Sequence, residues 1–288
     1  MSGAPLALAV LGHGVVDSSQ PWLYADDEAV LRGRAAFETV RVYCGRPFRL
    51  GDHLQRLARS AEVLELPAPD CDLLSALSLS AVEAGGRPDA VLRVVWTAGR
   101  ERTGAGRGFA LVTALPDDLE QLRARGIGLA SMQLAIGAHA RSASPWLLPG
   151  VKSTSYAVNV AAQREARRRG EDDAVFLSLE GIVLEGPISN VWFRESGTLF
   201  TPSLELGILA GVTRDSILAA ARTRGVEVVE GEFPLQRMAS ADEVFTSSSV
   251  REVMPVVRLD GRSVGDGRGG PEAMAMQAAL RVAAGSDS

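Results

Sequence analysis

The sequence predicts an α/β (α+β) chain whose two halves are built differently. Residues 5–120 alternate short β-rich runs with amphipathic helical stretches. From 121 onward, β-hairpin signals follow one another in series, set between a few helices. Hydrophobic residues make up 46% of 288, which is enough to build a substantial core and excludes a disordered chain. A polar, helix-prone connector at 117–126 divides the chain into 1–120 and 121–288.

The elements follow in order. The opening apolar stretch to Val10 has no basic segment before it, so it is expected to be a first strand and not a signal peptide. Ala36 to Val42 alternates and is rich in β-formers. After a turn at 44–47, Asp52 can cap a helix that stops at Pro67. Residues 71–84 form a second helix, ended by Gly85 and Gly86. Runs 90–96 and 108–115 are strands. In the second half, 126–136 is a strand and 138–146 a polar loop. Ser153 or Ser155 caps a helix through 154–170, with arginines in its last turn and Gly170 closing it. Hairpins are expected over 174–179 with 182–186, and over 190–195 with 198–202. A helix covers 211–225, strands cover 226–233, 243–249 and 253–261, and a final helix covers 271–284.

A net charge of -5 offers no basic excess to neutralise phosphates, so nucleic acid is not expected as a partner. No apolar run approaches the roughly 20 residues that span a bilayer, so no membrane role is expected either. The two cysteines, Cys44 and Cys71, show neither metal spacing nor a disulfide framework, and a reducing cytoplasm fits them. His13, His53 and His139 are scattered, so each is expected to be a satisfied or exposed histidine and no metal is expected. The glycine-rich stretch at 265–270 joins no strand to a nucleotide-binding helix and lacks a P-loop lysine; it is expected to be a loop.

One count singles out a residue. Of 30 basic side chains only Lys152 is a lysine; the other 29 are arginines. Arginine replaces lysine as a surface cation but cannot form an imine, because its guanidinium does not deprotonate. Lys152 therefore stands out as a carbonyl-reactive amine. Its neighbourhood supplies more. Tyr156 lies four residues on, one helical turn if the helix begins there. Glu185 ends a predicted strand, and Val212 and Thr213 open a helix whose N–H groups can hold an anion.

The stretch from Gly150 to Phe193, followed by Thr198–Pro202 and Gly207–Leu218, closely resembles the class IV (fold-type IV) aminotransferases that depend on pyridoxal 5'-phosphate (PLP). The resemblance runs from about residue 37 to 261. The family includes branched-chain aminotransferases, D-amino acid aminotransferases, R-selective amine transaminases and 4-amino-4-deoxychorismate lyases. It implies a small N-terminal α/β domain, a larger C-terminal domain with a barrel-like sheet, PLP between them, and a homodimer. Carried over by position, Lys152 resembles the Schiff-base lysine and general base, and Glu185 the carboxylate facing the pyridine nitrogen. Asn190 resembles its supporting asparagine and Tyr156 the tyrosine near the ring phenolate. Arg56, Val212, Thr213, Ser248 and Ser249 resemble the phosphate contacts, and Leu209 resembles the leucine packed on the ring.

The substrate side departs from the pattern. D-amino acid aminotransferases bind the substrate carboxylate through a tyrosine and an arginine where this chain has Phe37 and Ala98; many lyases also carry an arginine at the position of Ala98. Gly33-Arg34-Ala35 replaces the family's Gly-Asp-Gly, so a carboxylate-binding arginine has a new place to come from. Arg34, Arg251 and Arg100 are the candidates. The expected activity is transamination from a D-amino acid, with R-amines as further donors, to a 2-keto acid. The alternatives are 4-amino-4-deoxychorismate lyase chemistry on the same lysine, and a non-catalytic PLP-binding protein.

Overall fold

The computed structural model describes residues 4–101 and 104–285. The first sheet has six strands: β1 (Pro5–Val10), β2 (Gly14–Val16), β3 (Ala35–Tyr43), β4 (Arg46–Pro47), β5 (Ala90–Thr97) and β6 (Arg107–Thr113). Their order is β2-β1-β6-β5-β3-β4, and every pair is antiparallel. Besides the short α1 (Glu28–Arg32), two helices accompany this sheet, α2 (Leu50–Val63) and α3 (Cys71–Gly85). They bury Leu54, Leu57, Leu74 and Ala81 against Val40, Val42, Leu92 and Val94. Strand periodicity sends Phe37, Thr39, Arg41 and Tyr43 to the opposite face, and that face looks toward the second sheet.

Helix α4 (Leu119–Arg125) leads into the second sheet. Its strands are β7 (Ile127–Gln133), β8 (Asp173–Leu177), β9 (Asn190–Glu195), β10 (Thr198–Pro202), β11 (Val228–Gly231), β12 (Glu243–Ser248), β13 (Glu252–Leu259) and β14 (Arg262–Ser263). The order is β11-β10-β9-β12-β13-β7-β8, with β14 on β13. It is a mixed sheet: β7 pairs β8 and β13 in parallel, whereas β9, β12 and β13 run antiparallel. Its helices are α5 (Ala140–Ala143), α6 (Ala157–Arg168), α7 (Val212–Thr223), α8 (Leu235–Ala239) and α9 (Pro271–Ala284). Alternation splits the sheet's side chains into two layers. Val191, Phe193, Val244 and Met254 form one core, and Trp192, Phe245 and Val253 pack under α7 and α9 with Ile217 and Met276. Each such buried side chain contributes roughly 1.5–3 kcal/mol. Two curled sheets with helices outside are the mixed α/β architecture expected.

Three local expectations fail. Helix α2 starts at Leu50 with Arg49 as N-cap, so Asp52 lies inside its first turn and does not cap it. The helix after Lys152 starts at Ala157, with Tyr156 as N-cap, so neither Ser153 nor Ser155 caps it. Residues 152–154 instead run along β3: Phe37 N–H donates to the Lys152 carbonyl at 3.0 Å, and Thr154 N–H donates to the Ala35 carbonyl at 2.9 Å. Backbone groups satisfied by a strand are not available for a helical turn. Residues 182–186 form no full strand either. They make isolated bridges, Val183 to Leu177 and Ile182 to Pro234, and the pairing with β8 is irregular: the Leu184 N–H and the Glu185 carbonyl both bond the backbone of Phe176.

Candidate active site

A cavity of about 1000 Å³ opens between the two sheets, and Lys152 lines it. The backbone of Lys152 is pinned on both sides: its carbonyl accepts from β3, and its N–H donates to Ser60 Oγ of α2 at 3.2 Å. The amine Nζ lies 4.4 Å from the centroid of the Phe37 ring and 5.8 Å from that of Tyr156. The two rings meet edge to face, with centroids 5.2 Å apart. Lys152 makes no salt bridge among the described residues. Burial lowers its pKa to about 8, and the nearby Arg56 charge adds to the effect. Tyr156 is shifted the other way, to about 12, by burial and by the Glu185 charge, so its phenol keeps its proton and can donate.

Glu185 lines the same cavity. Its Oε2 accepts from the Leu209 N–H at 3.1 Å, and its Oε1 lies 3.5 Å from Arg141 Nη1. Burial raises its pKa, and these two contacts only partly offset that. A buried carboxylate so poorly compensated suits a cationic N–H partner such as a pyridinium.

The anion-binding end is built from three elements. Arg56 of α2 is buried and forks onto Glu38, with Nε to Oε1 and Nη2 to Oε2 both at 2.7 Å; its Nη1 donates to the Ala210 carbonyl at 2.7 Å. Each terminal nitrogen keeps a second N–H, and the guanidinium lines the cavity. Helix α7 begins at Gly211 with no side-chain cap, leaving its first N–H groups open beside Val212 and Thr213. Ser248 and Ser249 complete this wall. Asn190 Nδ2 holds the Leu209 carbonyl at 2.9 Å and so fixes the approach to α7. Uncapped N–H groups, an arginine, hydroxyls, a buried amine and an undercompensated carboxylate all line this one cavity, a set of groups that fits PLP.

Every cofactor residue expected from the sequence therefore lines this one cavity: Arg56, Lys152, Tyr156, Glu185, Asn190, Leu209, Val212, Thr213, Ser248 and Ser249. Phe37 and Arg251 line it too. Arg34 and Arg100 do not, which corrects the expectation for both. The Arg34 guanidinium is held by Glu28 (2.6 Å), the Leu64 carbonyl (3.1 Å) and the Glu65 carbonyl. Arg100 pairs with Asp26 at 2.9 Å and lies over the Tyr24 ring. Arg251 pairs with buried Asp173.

Four residues escaped the sequence reading. Glu38 anchors Arg56 and also meets His53 Nδ1 at 2.7 Å, which makes His53 a satisfied, buried histidine. A charged residue on the helix-facing side of an alternating strand was the available signal. Burial alone would raise the pKa of Glu38, but the bonds and charge of Arg56, helped by His53, hold it at about 2. Arg93 is the lone cation in an apolar strand and sits opposite Thr39 on the cavity face. Among the described residues its guanidinium has no hydrogen-bond or ion-pair partner, and burial lowers its pKa. Arg141 and Asp173 left no local mark in the sequence.

The family model for class IV amino-transferases matches residues 35–259. A Mycobacterium tuberculosis protein named as a bifunctional aminodeoxychorismate lyase / D-amino acid transaminase is 32% identical over 265 residues, covering 88% of this chain and 92% of its own. A putative branched-chain-amino-acid aminotransferase of Methanocaldococcus jannaschii is 30% identical over 258 residues, covering 86% of each chain. Among solved structures, a hypothetical aminotransferase from M. tuberculosis in its alpha-ketoglutarate and PMP bound form superposes with a TM-score of 0.92 at 30% identity, covering 98% of this chain and 100% of the other.

Proposed function

Because the chain belongs to the class IV aminotransferase family, whose enzymes depend on PLP, we propose that it moves an amino group from a D-amino acid, and from R-amines, to a 2-keto acid. The observation that carries the transaminase reading is Arg93. An unpartnered guanidinium on the cavity face, beyond the one that serves the cofactor, suits the carboxylate of a keto acid. The solved relative bound to alpha-ketoglutarate (2-oxoglutarate) supports that choice of acceptor. The D-amino acid part is supported by the name of the 32% identical relative.

PLP, when bound, supplies an electron sink for the carbanion left at the donor's α-carbon. The residues of this chain supply the rest. Lys152 would hold the cofactor, and burial lowers the pKa of its amine to about 8, so that part of it is neutral near physiological pH and able to take and return a proton. Glu185 would face the pyridine nitrogen, with Asn190 fixing the neighbouring backbone. Tyr156 would donate toward the ring oxygen, and Leu209 would pack on the ring. Arg56, Val212, Thr213, Ser248 and Ser249 would hold the phosphate. Phe37, Arg93 and Arg251 would face the substrate. We place the domain boundary in α4 and infer a homodimer in the cytoplasm. The exposed Val30, Leu31, Trp146 and Val158 are apolar surface that a second copy would cover, and the unpaired thiols suit a reducing compartment.

Incubation with D-alanine and 2-oxoglutarate should yield D-glutamate and pyruvate. Arg93→Ala should raise KM for 2-oxoglutarate by about tenfold, with a smaller change in kcat. No turnover of any D-amino acid would remove this reading, and turnover of L-leucine in its place would move the protein to the branched-chain group. Lyase activity is the second reading, favoured by the double name of the same relative. It predicts pyruvate release from aminodeoxychorismate with no keto acid present.

A further inference from the structure

The hairpin that carries Arg251 closes on a residue that the cofactor and substrate contacts do not use. Strands β12 and β13 pair Ser248 with Glu252, so Ser249, Val250 and Arg251 form a three-residue loop. Position 252, just after the loop, has left-handed backbone, which glycine adopts without steric cost. Glu252 takes it instead, at φ 57°, with its side chain fully buried. Four donors surround the carboxylate. Tyr43 Oη donates to Oε1 at 2.7 Å; on Oε2, Arg123 Nη2 stands at 2.6 Å, Gln277 Nε2 at 2.8 Å and Arg281 Nη2 at 3.3 Å. They come from β3 of the first sheet, from α4 and from α9.

The loop carbonyls are held by the same elements. Arg41 Nη1 donates to the Val250 carbonyl at 3.2 Å, and Arg123 Nη2 donates to the Arg251 carbonyl at 3.1 Å. Arg41 and Tyr43 share the face of β3 that also carries Phe37 and Thr39. One strand therefore lines the cavity with its first half and grips the loop with its second. A glutamate kept where glycine fits better, and bonded from three elements, is held there for its carboxylate.

We propose that Glu252 is a positioning residue: it ties the Ser249–Arg251 loop to β3 and α4, and so sets where Ser248, Ser249 and Arg251 stand in the cavity. The assignment rests on those three residues being the phosphate and carboxylate contacts described above. A purely structural Glu252 would affect folding stability and leave ligand affinities alone.

Glu252→Gly separates the two roles, because glycine suits the backbone and only the carboxylate is lost. The expected result is a folded protein in which Kd for PLP, read by absorbance titration of the cofactor-free chain, and KM for 2-oxoglutarate each rise about tenfold, with kcat falling less. Glu252→Gln, which keeps an acceptor for Arg123, should recover part of both losses. Tyr43→Phe removes one donor and should raise both values about threefold. Folded Glu252→Gly and Tyr43→Phe proteins with unchanged Kd and KM would overturn the proposal. Should Glu252→Gly not fold, Tyr43→Phe decides it on the same two readouts. Ser248→Ala and Arg251→Ala are the controls. If they change nothing, the loop is no ligand contact and the positioning role falls with it; if they weaken binding and Glu252→Gly does not, the positioning role alone falls.

Discussion

An amine that attacks an aldehyde must be neutral at that moment. Lys152 meets this condition through its surroundings: burial against Phe37 and Tyr156 comes first, the Arg56 charge second, and together they bring its pKa from 10.5 to about 8. Capture of PLP by the cofactor-free protein should therefore speed up as pH rises and reach half its limiting rate near pH 8. Stopped-flow absorbance across pH 6.5–10.5 reads this directly, and a midpoint near the ordinary lysine value would show that the amine is not desolvated. Lys152 was legible in the sequence because it is chemically unlike the other basic residues. Glu38 was harder to find: its role is to hold Arg56, a residue 18 positions away, and only packing of α2 on β3 brings the two together.

At the scale of elements, the start of α7 is the sharpest case. The segment 211–225 reads as a helix, and the helix forms from Val212 with Gly211 as its cap. What the pattern does not carry is the closeness of its approach. A Cβ at Gly211 would overlap the Asn190 side-chain oxygen. Gly211→Ala should thus push Asn190 off the Leu209 carbonyl and tilt the N–H groups of the first turn. Kd for PLP should rise about tenfold while far-UV circular dichroism stays unchanged; an unaltered Kd would mean that this end of the helix does not bind the phosphate. The segment after Lys152 shows the reverse. There helical spacing predicted that Tyr156 would meet Lys152, and the two do meet, but through an extended strip paired to β3. Spacing of four residues was compatible with both conformations, and the choice fell to backbone bonds offered by a strand more than 100 residues earlier in the chain.

For the whole molecule, buried charge sets the response to acid. The Glu38 carboxyl is held at about 2 against an unperturbed 4.5. A carboxylate with a depressed folded pKa contributes stability that is complete above its unfolded pKa and is lost as pH falls through the folded one. The window here is pH 4.5 to about 2, and the contribution is about 3 kcal/mol. Urea unfolding should show stability falling across that window, and Glu38→Gln should flatten the fall while lowering stability at pH 7. A variant with an unchanged acid slope would mean that the Glu38–Arg56–His53 cluster is not a main source of it. The same cluster links sheet stability to the cavity, because Arg56 also lines it.

The sequence by itself determined the mixed α/β class and singled out the one lysine, and its resemblance to a known family pointed to the carboxylate and the helix start that would suit PLP. Those features are local: a residue type, a run of alternation, a glycine before a helix. Only the tertiary structure decided which of 29 arginines face the cavity. Arg34 and Arg100 were drawn to Glu28 and Asp26, while Arg93, inside an apolar strand, lines the cavity and has no partner among the described residues. A guanidinium goes to the nearest acceptor that folding offers, and the acceptors near each arginine come from distant segments. The cofactor chemistry could therefore be read from short stretches of chain, whereas the substrate contacts depended on how two sheets close over one cavity.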